Sequence, residues 1–419
     1  MTLAQSFKFL HMADLHLGSP LKGLAMRNAG AAGRIEGASR EAFQELIDRA
    51  LIEAVDFAVI AGDIYDGEWR DTSIGHFFNR EISRLSRAGV PVFIVKGNHD
   101  AESEVTRALP LPQGVHVFAA DVAGTVELDS LGVALHGRSF ATRAVSENFA
   151  LSYPPASPNR FNIGLLHTSL TGRPPHEPYA PCSLADLASR GYDYWALGHV
   201  HEFEVVSSDP HVVYPGNLQG RSIREPGAKG AVVVEVVDGR VAEVRRLIVD
   251  KARFELVEID VSDADSEGEV QTRIRAALAP IARASAGKPV ALRLRLTGTA
   301  AIARRLAALG SRLADEVQAT IEQEFEEAFL EKLVNDSLEP GRAGPLQLEA
   351  ETPLIDTLAL IAGLEADEDL KAEAGRLIDE IAAKMPAAGL AREDMLAEID
   401  RLMLEARTLV VARAGGGEA

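Results

Sequence analysis

The first hundred residues alternate between apolar runs of strand length and stretches with helical periodicity. The apolar runs cover residues 7–12, 57–61 and 91–95, and each reads as a buried strand. Residues 40–54 and 72–88, which lie between these runs, carry apolar side chains at helical spacing. The order strand, helix, strand, helix, strand predicts a parallel α/β sheet.

Shorter segments follow and complete a first domain that we expect to end near residue 250. Three short strands, which suit antiparallel pairing, are predicted at residues 115–118, 125–128 and 133–136. Two further buried runs, residues 162–167 and 194–201, carry histidine at their ends. Residues 231–249 predict a hairpin that turns at Asp238-Gly239.

The rest of the chain predicts two smaller regions. A small β-α-β capping domain is predicted from residues 254–261, 267–286 and 289–296. The domain bounds are therefore 1–250 and 251–298, followed by a helical C-terminal region at 299–419 that is rich in Ala, Leu and Glu. Pro and Gly interrupt this region at 335–353, and residues 391–412 predict an amphipathic helix with an apolar stripe.

Composition narrows the class of protein. At 419 residues the chain exceeds the about 250 to 300 residues at which single cores stop growing, so it should hold two or three domains. Its 47% apolar and 25% charged residues are typical of a soluble globular protein, and no apolar run reaches the roughly 18 residues that a membrane span needs. The N-terminal residues lack a secretory pattern and Cys182 is the single cysteine, so we expect a cytoplasmic protein.

The net charge of −19 bears on possible partners. An acidic chain argues against binding nucleic acid through bulk charge alone. Any nucleic-acid role therefore requires local basic patches, metal ions or a basic partner.

Five of the predicted strands are followed directly by side chains that bind metal ions. These side chains are Asp14 with His16, Asp63, Asn98 with His99, His167, and His199 with His201. Because ligand sites in open α/β sheets lie outside the carboxyl ends of the strands, we expect the five strand ends to converge on one place. The i, i+2 spacing of the first and last pairs can direct both side chains of each pair into the same cavity.

These residue types indicate a dinuclear site. Asp, His and Asn favour Mn²⁺, Fe²⁺, Zn²⁺ or Mg²⁺ over a metal that thiolates select. Seven such ligands exceed the needs of one tetrahedral ion and suit two ions about 3.5 to 4 Å apart that share a carboxylate. Such a site clamps a phosphoryl group and lowers the pKa of a bound water, so the sequence predicts phosphoester hydrolysis.

The ordered motifs resemble those of a known superfamily. The set that resembles the calcineurin-like metallophosphoesterase superfamily is Asp14-x-His16, Gly62-Asp63, Gly97-Asn98-His99-Asp100, His167 and Gly198-His199-x-His201. Residues 11–18, residues 214–217 and the long C-terminal extension are similar to its DNA repair exonuclease branch, of the SbcD and YhaO type. The motifs cover residues 9–217, and the resemblance implies a metallophosphoesterase β-sandwich flanked by helices.

The resemblance also implies a role for each site residue. One metal would be held by Asp14, His16, Asp63 and His201, and the other by Asp63, Asn98, His167 and His199, with Asp63 bridging. His99 would lie unligated beside the metals, where it would orient the scissile phosphate and protonate the leaving oxygen. Asp66 and Asp100 are the candidate carboxylate partners of His99, and either could instead be a turn residue or a helix N-cap. Gly67 stands where phosphoprotein phosphatases carry Arg, which counts against a phosphatase.

Three arginines are candidates for DNA contacts. Arg138 follows a predicted strand, and Arg221 and Arg224 follow the Tyr-Pro-Gly-Asn loop. Each could bind a backbone phosphate or be an ordinary solvated arginine. The other histidines, His11 and His76 among them, are interpreted as structural or surface residues.

The function that we predict is Mn²⁺-dependent hydrolysis of DNA phosphodiester bonds by metal-bound hydroxide, with Mg²⁺, Fe²⁺ and Zn²⁺ as alternative metals. The resemblance implies a DNA repair complex in which the C-terminal helices dock on an SMC-like coiled-coil ATPase of the SbcC and YhaN type. A homodimer is a further candidate assembly, and no membrane partner is expected. Two alternatives stay open: a phosphodiesterase or phosphatase acting on a non-DNA phosphoester, and a largely non-enzymatic adaptor for the ATPase.

Overall fold

The computed structural model describes residues 6–19, 37–66, 72–102, 110–171 and 179–339, together with residue 376. Within these residues the chain forms two compact units. The first runs to Arg221 and continues over residues 227–252, and the second holds residues 222–226 and everything from Arg253 onward. Among the described residues, none of the helices combines the length and apolar character needed to span a bilayer.

The first unit begins with a six-stranded sheet. Its strands are β1 (Phe7–Met12), β2 (Phe57–Ala61), β3 (Val92–Val95), β4 (Val115–Val117), β11 (Gly230–Val237) and β12 (Arg240–Ile248). They are arranged in the order β12-β11-β1-β2-β3-β4, and β1 to β4 are parallel. The helices of this half are α1 (Ala38–Ile52), α2 (Thr72–Arg87) and α3 (Asn98–Glu102). The predicted alternation of strand and helix is therefore confirmed.

The predicted hairpin is also present. Strands β11 and β12 pair antiparallel, and β11 pairs antiparallel with β1. The turn residues Asp238 and Gly239 have φ angles of 52° and 71°, as a two-residue turn with both central residues left-handed requires. This pairing brings the end of the first unit back beside its first strand.

A second six-stranded sheet completes the first unit. Its strands are β5 (Gly124–Leu128), β6 (Val133–Gly137), β7 (Phe161–His167), β8 (Tyr194–Gly198), β9 (Glu204–Ser208) and β10 (His211–Tyr214). Their order is β5-β6-β7-β8-β10-β9, and β6, β7, β8 and β10 are parallel. Of the short strands that we expected to pair antiparallel, β5 and β6 do so, whereas β4 lies parallel to β3 in the other sheet. A 3₁₀ turn (Phe149–Ser152) and helix α4 (Leu184–Ala188) accompany this sheet.

The two sheets pack face to face through an aromatic core. The Phe9 ring stacks on Phe57 with centroids 5.1 Å apart, and Tyr194 of the second sheet meets Phe9 edge-on at 5.2 Å. Outside the first sheet, helices α1 and α2 contribute Phe43 and Phe78, which stack at 5.7 Å in a second apolar layer. The unit is thus the predicted sandwich flanked by helices, and burial on both faces explains why its central strands are almost wholly apolar.

The second unit is built on a three-stranded parallel sheet. Its elements are β13 (Arg253–Asp260), α5 (Glu267–Ala284), β14 (Val290–Thr297), α6 (Ala303–Leu309), α7 (Ser311–Glu324) and β15 (Ala328–Asn335). The strand order is β13-β14-β15. The apolar side chains of one sheet face pack on the helices, with Leu292, Ile274 and Val317 fully buried.

Strand β15 shows that the predicted boundary at residue 298 was wrong. We expected residues from 299 onward to be helical, but Ala328–Asn335 extends the small sheet beside β14. A register shift between Leu292 and Arg293 allows Leu330 and Leu333 to pack on the same core. Their three-residue spacing reads as helical in the sequence because an irregular strand breaks the two-residue alternation. The predicted helix at 391–412 lies outside the described residues.

Candidate metal centre

The predicted ligands lie at the carboxyl ends of strands from both sheets. Strands β1, β2 and β3 end at the segments that carry Asp14, Asp63 and Asn98, and β7 and β8 of the second sheet lead to His167 and His199. The strand ends converge on one place, as predicted, and both sheets of the sandwich contribute to it. The edge that gathers these side chains is therefore shared by the two layers of the sandwich.

Two glycines allow the sheets to approach at this edge. A Cβ added to Gly198 would lie 2.0 Å from the carbonyl oxygen of Ala61, and one added to Gly97 would lie 2.3 Å from Asp63 Oδ1. Neither contact is possible for a real side chain, so only glycine fits at either position. The glycines that precede Asn98 and His199 are thus required by close packing of the site.

Four of the predicted ligands have backbone conformations that non-glycine residues rarely adopt. The φ angles are 50° for Asp14, 41° for His16, 53° for Asp63 and 97° for His199. Such residues cost free energy, of order 1 to 3 kcal/mol each, and they cluster at functional sites where the surrounding structure holds them. The strained backbone conformations support the interpretation that these four residues serve the function of the site.

The ligand atoms fall into three overlapping groups, in each of which the atoms lie within 4.8 Å of one another. The groups are Asp14, His16 and His201; His16, Asp63 and His99; and Asp14, Asp63 and His167. Asp14, His16 and Asp63 each belong to two groups, so the donors form one continuous cluster. Asp63 Oδ2 lies 3.9 Å from His16 Nε2 and 3.5 Å from His167 Nε2, so this carboxylate faces both halves of the cluster.

His167 shows that the cluster fits a cation. Its Nδ1 lies 2.9 Å from the carbonyl oxygen of Ala61, to which it can only donate, so its Nε2 carries a lone pair. That Nε2 faces Asn98 Oδ1 at 2.9 Å and Asp63 Oδ2 at 3.5 Å. Burial lowers the pKa of His167, so the ring stays neutral. Three electron-rich atoms pointing at one another are the arrangement that a divalent ion satisfies.

His16 and His201 form the other half of the cluster. Their Nε2 atoms lie 3.2 Å apart, and His201 Nε2 lies 3.8 Å from Asp14 Oδ1. The backbone N–H of His199 donates to both Asp14 oxygens, at 3.1 and 2.9 Å, and so ties the ends of β1 and β8 together. Burial and the charge of Arg221 lower the pKa of His16 to about 3, which keeps this ring neutral and able to ligate.

His99 and Asp66 lie beside this cluster. His99 Nδ1 is 3.2 Å from Asp66 Oδ1, and the same oxygen is 3.6 Å from His16 Nδ1. Burial opposes ionisation of Asp66, but its contact with His16 and the charge of Arg221 lower its pKa well below the usual value. The structure therefore gives the His99 imidazole an ionised carboxylate partner. His99 also lies within reach of His16 and Asp63, closer to the ligand cluster than the sequence indicated.

Asp100 has a different environment. Its Oδ1 accepts from the backbone N–H groups of Ile64 and Tyr65, at 2.9 and 3.2 Å, and its Oδ2 accepts from Gly97 at 3.1 Å. Burial and the charge of Asp63 raise the pKa of Asp100 to about 7. Of the two candidate partners, Asp66 is the one that faces His99, whereas the Asp100 carboxylate joins the loop after β2 to the loop after β3.

The three candidate DNA-binding arginines lie in different environments. Arg221 Nη2 is 3.2 Å from His201 Nδ1, and its Nη1 is 3.8 Å from Asp66 Oδ2, so Arg221 belongs to the site. Arg138 pairs with Glu147 at 3.0 Å and covers the Phe149 ring at 3.9 Å, which is a structural arrangement. Arg224 belongs to the short segment 222–226 of the second unit, where its backbone N–H donates to Ser222 Oγ.

Comparison with known proteins identifies the family. The model of the calcineurin-like phosphoesterase family matches residues 7–203, and a model named metallophosphoesterase YhaO, middle domain, matches residues 254–337. The uncharacterized metallophosphoesterase YhaO of Bacillus subtilis is 34% identical over 350 residues, which cover 82% of this chain and 81% of that protein. The chain belongs to the calcineurin-like metallophosphoesterase family.

More distant similarities extend to a named DNA repair protein and to a solved structure. The DNA double-strand break repair protein Mre11 of Methanopyrus kandleri is 27% identical over 297 residues, which cover 64% of this chain and 62% of that protein. The crystal structure of a dimetal phosphatase from Danio rerio aligns with a TM-score of 0.35 and 14% identity, covering 58% of this chain and 98% of that one.

As a member of this family, the protein is a metal-dependent phosphoesterase, and its donor cluster suits the two divalent ions that the family binds. Sequence reasoning missed two residues that shape this phosphoesterase site. Lys229 is buried and donates from Nζ to the carbonyl oxygen of His201 at 2.8 Å. Gln219 is buried in the loop that carries Arg221. Neither follows a strand at a ligand spacing, so no sequence signal marked them.

The structural interpretation of His11 agrees with its surroundings. His11 is fully buried between the sheets, where Nδ1 lies 3.0 Å from Tyr194 Oη and Nε2 lies 3.1 Å from the carbonyl oxygen of Leu197. Burial lowers its pKa to about 3, so the ring is a neutral link between β1 and β8. In this phosphoesterase, His11 inside a strand is thus structural, whereas the histidines just beyond the strands belong to the site.

Proposed function

We propose that this phosphoesterase is a DNA exonuclease of a DNA repair complex and that it uses Mn²⁺. The observation that carries the proposal is the His99 side chain, which is 27% exposed and rests on Asp66 beside a ligand cluster whose other histidines are mostly buried. An exposed imidazole next to buried metal ligands suits an extended substrate that passes over the site. The similarity to Mre11 proteins, named for double-strand break repair, supports DNA as that substrate.

The metal ions and the protein's own side chains would each supply part of the chemistry of hydrolysis. Two divalent ions, when bound, lower the pKa of a water molecule and offset charge on the phosphoryl oxygens. Because His99 donates from Nδ1 to Asp66, its Nε2 is directed to the substrate. The attacking water loses one proton to solvent, its oxygen bonds to phosphorus as the ester P–O bond breaks, and a protonated His99 gives its Nε2 proton to the leaving oxygen. His99 then takes up a proton from solvent. The Asp66 carboxylate stabilises the positive charge of that imidazole and fixes its orientation.

The acidic charge of the chain favours action with a partner. The protein has a net charge of −19, which opposes the binding of duplex DNA, so binding by the isolated protein should be weak and salt-sensitive. We propose that an SMC-like coiled-coil ATPase, bound through the C-terminal helices, holds the DNA, and that the complex works in the cytoplasm. The proposed docking segment, residues 391–412, lies outside the described residues.

A nuclease assay with matched variants tests the proposal. Purified protein is incubated with Mn²⁺ and end-labelled duplex DNA, alongside Asp63→Ala, His99→Ala and the control His76→Ala, which alters an exposed histidine of α2. We expect the wild type and the control to shorten the DNA and the two site variants to lose activity by at least about a hundredfold. Equal digestion by all four proteins would show that the DNA is cut elsewhere or by a contaminant.

The same assay separates the alternatives. Turnover of a small phosphodiester without turnover of DNA would favour a non-DNA phosphoesterase. If His99→Ala abolishes hydrolysis but the variant still complements a deletion strain for repair, the protein acts mainly as an adaptor. The first outcome contradicts the nuclease proposal, and the second contradicts a role for hydrolysis in repair.

A further inference from the structure

The loop that carries Arg221 is packed against the segment that carries His201. Gly216, with a φ of 76°, lies so close that an added Cβ would be 3.1 Å from the carbonyl oxygen of His201. The backbone N–H of Asn217 donates to that same oxygen at 3.4 Å, and the N–H of Gly230 donates to the carbonyl of Asn217 at 3.1 Å. The loop is therefore fixed relative to a metal ligand.

Gln219 holds the loop from its other side. Its Oε1 accepts from the backbone N–H groups of Lys251 and Ala252, at 2.8 and 3.2 Å. Its Nε2 donates to the carbonyl oxygens of Gly220 and Ala252, at 3.0 and 2.7 Å. A buried amide with four backbone contacts restricts the motion of the loop, so the backbone of Arg221 is held in a fixed position.

The guanidinium of Arg221 reaches the open side of the ligand cluster. Its side chain is 22% exposed, and its two terminal nitrogens contact His201 Nδ1 at 3.2 Å and Asp66 Oδ2 at 3.8 Å. Asp66 is in turn the partner of His99. The positive charge thus lies between a metal-ligand histidine and the carboxylate behind the general acid.

We propose that Arg221 binds a non-bridging oxygen of the substrate phosphate, and that it is a phosphate-binding residue of the active site. Arg221 is cationic at every accessible pH. Its guanidinium carries five N–H donors and its side chain is 22% exposed, so a phosphate oxygen can reach it beside its protein contacts. This proposal rests on the proposed function, because it requires a phosphoryl group in the site.

Arg221 also provides local positive charge in a protein whose net charge is −19. An acidic protein that binds a polyanion needs positive charge at the point of contact, and one rigidly held guanidinium supplies it there. Lysine would supply the charge without the planar pair of donors. Arg221 is therefore expected to matter through both its charge and its shape.

Binding of inorganic phosphate to the Mn²⁺-loaded full chain tests the proposal without any need for turnover. Calorimetry compares the wild type with Arg221→Ala, Arg221→Lys and the control Arg138→Ala, and a separate Mn²⁺ titration measures metal affinity. We expect phosphate affinity to fall about tenfold or more in Arg221→Ala, to be intermediate in Arg221→Lys and to be unchanged in the control. Mn²⁺ affinity should stay at the wild-type value in all three variants.

Three results would overturn the role of Arg221. The first is an unchanged phosphate affinity in Arg221→Ala, and the second is the absence of phosphate binding by the wild type. The third is a loss of Mn²⁺ affinity in Arg221→Ala that parallels its loss of phosphate affinity, which would mean that Arg221 only orients His201. Failure of the proposed function looks different. If phosphate binding depends on Arg221 but the wild type digests no DNA, only the nuclease proposal is contradicted. If the wild type digests DNA but phosphate affinity is unchanged in Arg221→Ala, only the proposed role of Arg221 is contradicted.

Discussion

The segments after β2 and β3 each carry a carboxylate near a proposed metal ligand, but the two carboxylates have different roles. Asp66 follows Asp63 by three residues, is 21% exposed at its side chain and faces His16, His99 and Arg221. Asp100 follows Asn98 by two residues, is 2% exposed and receives three backbone amides. Asp66 faces side chains, so it can affect the charge and orientation of His99. Asp100 accepts from backbone amides, so it holds two backbone segments together.

The largest effect should come from Asp63, the ligand of the first loop. We expect Asp63→Asn to lower the hydrolysis rate by about a thousandfold or more, because a carboxylate that would be shared by two ions loses its charge. Metal analysis after gel filtration should show fewer than two Mn²⁺ per chain. A variant that keeps two ions and the wild-type rate would contradict the bridging position.

His99, in helix α3, should separate catalysis from metal binding. We expect His99→Ala to lower kcat by about a hundredfold to ten-thousandfold, the range of general acid catalysis, while two Mn²⁺ remain bound. The loss should be smaller on a p-nitrophenyl phosphodiester than on DNA, since a good leaving group needs less protonation. Equal losses on both substrates, or a loss of metal, would assign His99 to another role.

Asp66 should act through His99. We expect Asp66→Asn to lower kcat by roughly tenfold to a hundredfold, because the imidazole loses the negative charge behind it. In a His99→Ala background the same substitution should have little further effect, which a double-mutant cycle measures. Additive losses in the cycle would break the proposed link between the two residues.

Asp100 should affect stability more than catalysis. We expect Asp100→Asn to lower the free energy of unfolding by about 2 kcal/mol, because an amide cannot serve all three backbone donors as a carboxylate does. Urea denaturation measures the change, with Asp66→Asn as the matched control, for which less than about 1 kcal/mol is expected. If Asp66→Asn is the more destabilising of the two, the contrast between the loops fails.

The sequence predicted which side chains meet because ligands that follow buried strands converge wherever parallel strands end. It could not predict that two sheets share the edge, since apolar runs buried on both faces look alike in either sheet. It could not separate Asp66 from Asp100, because side-chain direction in a loop depends on tertiary contacts. Strand β15 was missed for a related reason: its register shift is a property of pairing with β14, not of its own residues.

Anomalous diffraction from crystals of the full chain soaked in Mn²⁺ tests the central claim most directly. We expect two peaks about 3.5 to 4 Å apart on either side of the Asp63 carboxylate, with His16 and His201 at one, Asn98 and His167 at the other, and His99 bound to neither. A single peak, or a peak ligated by His99, would contradict the two-metal site with a separate general acid.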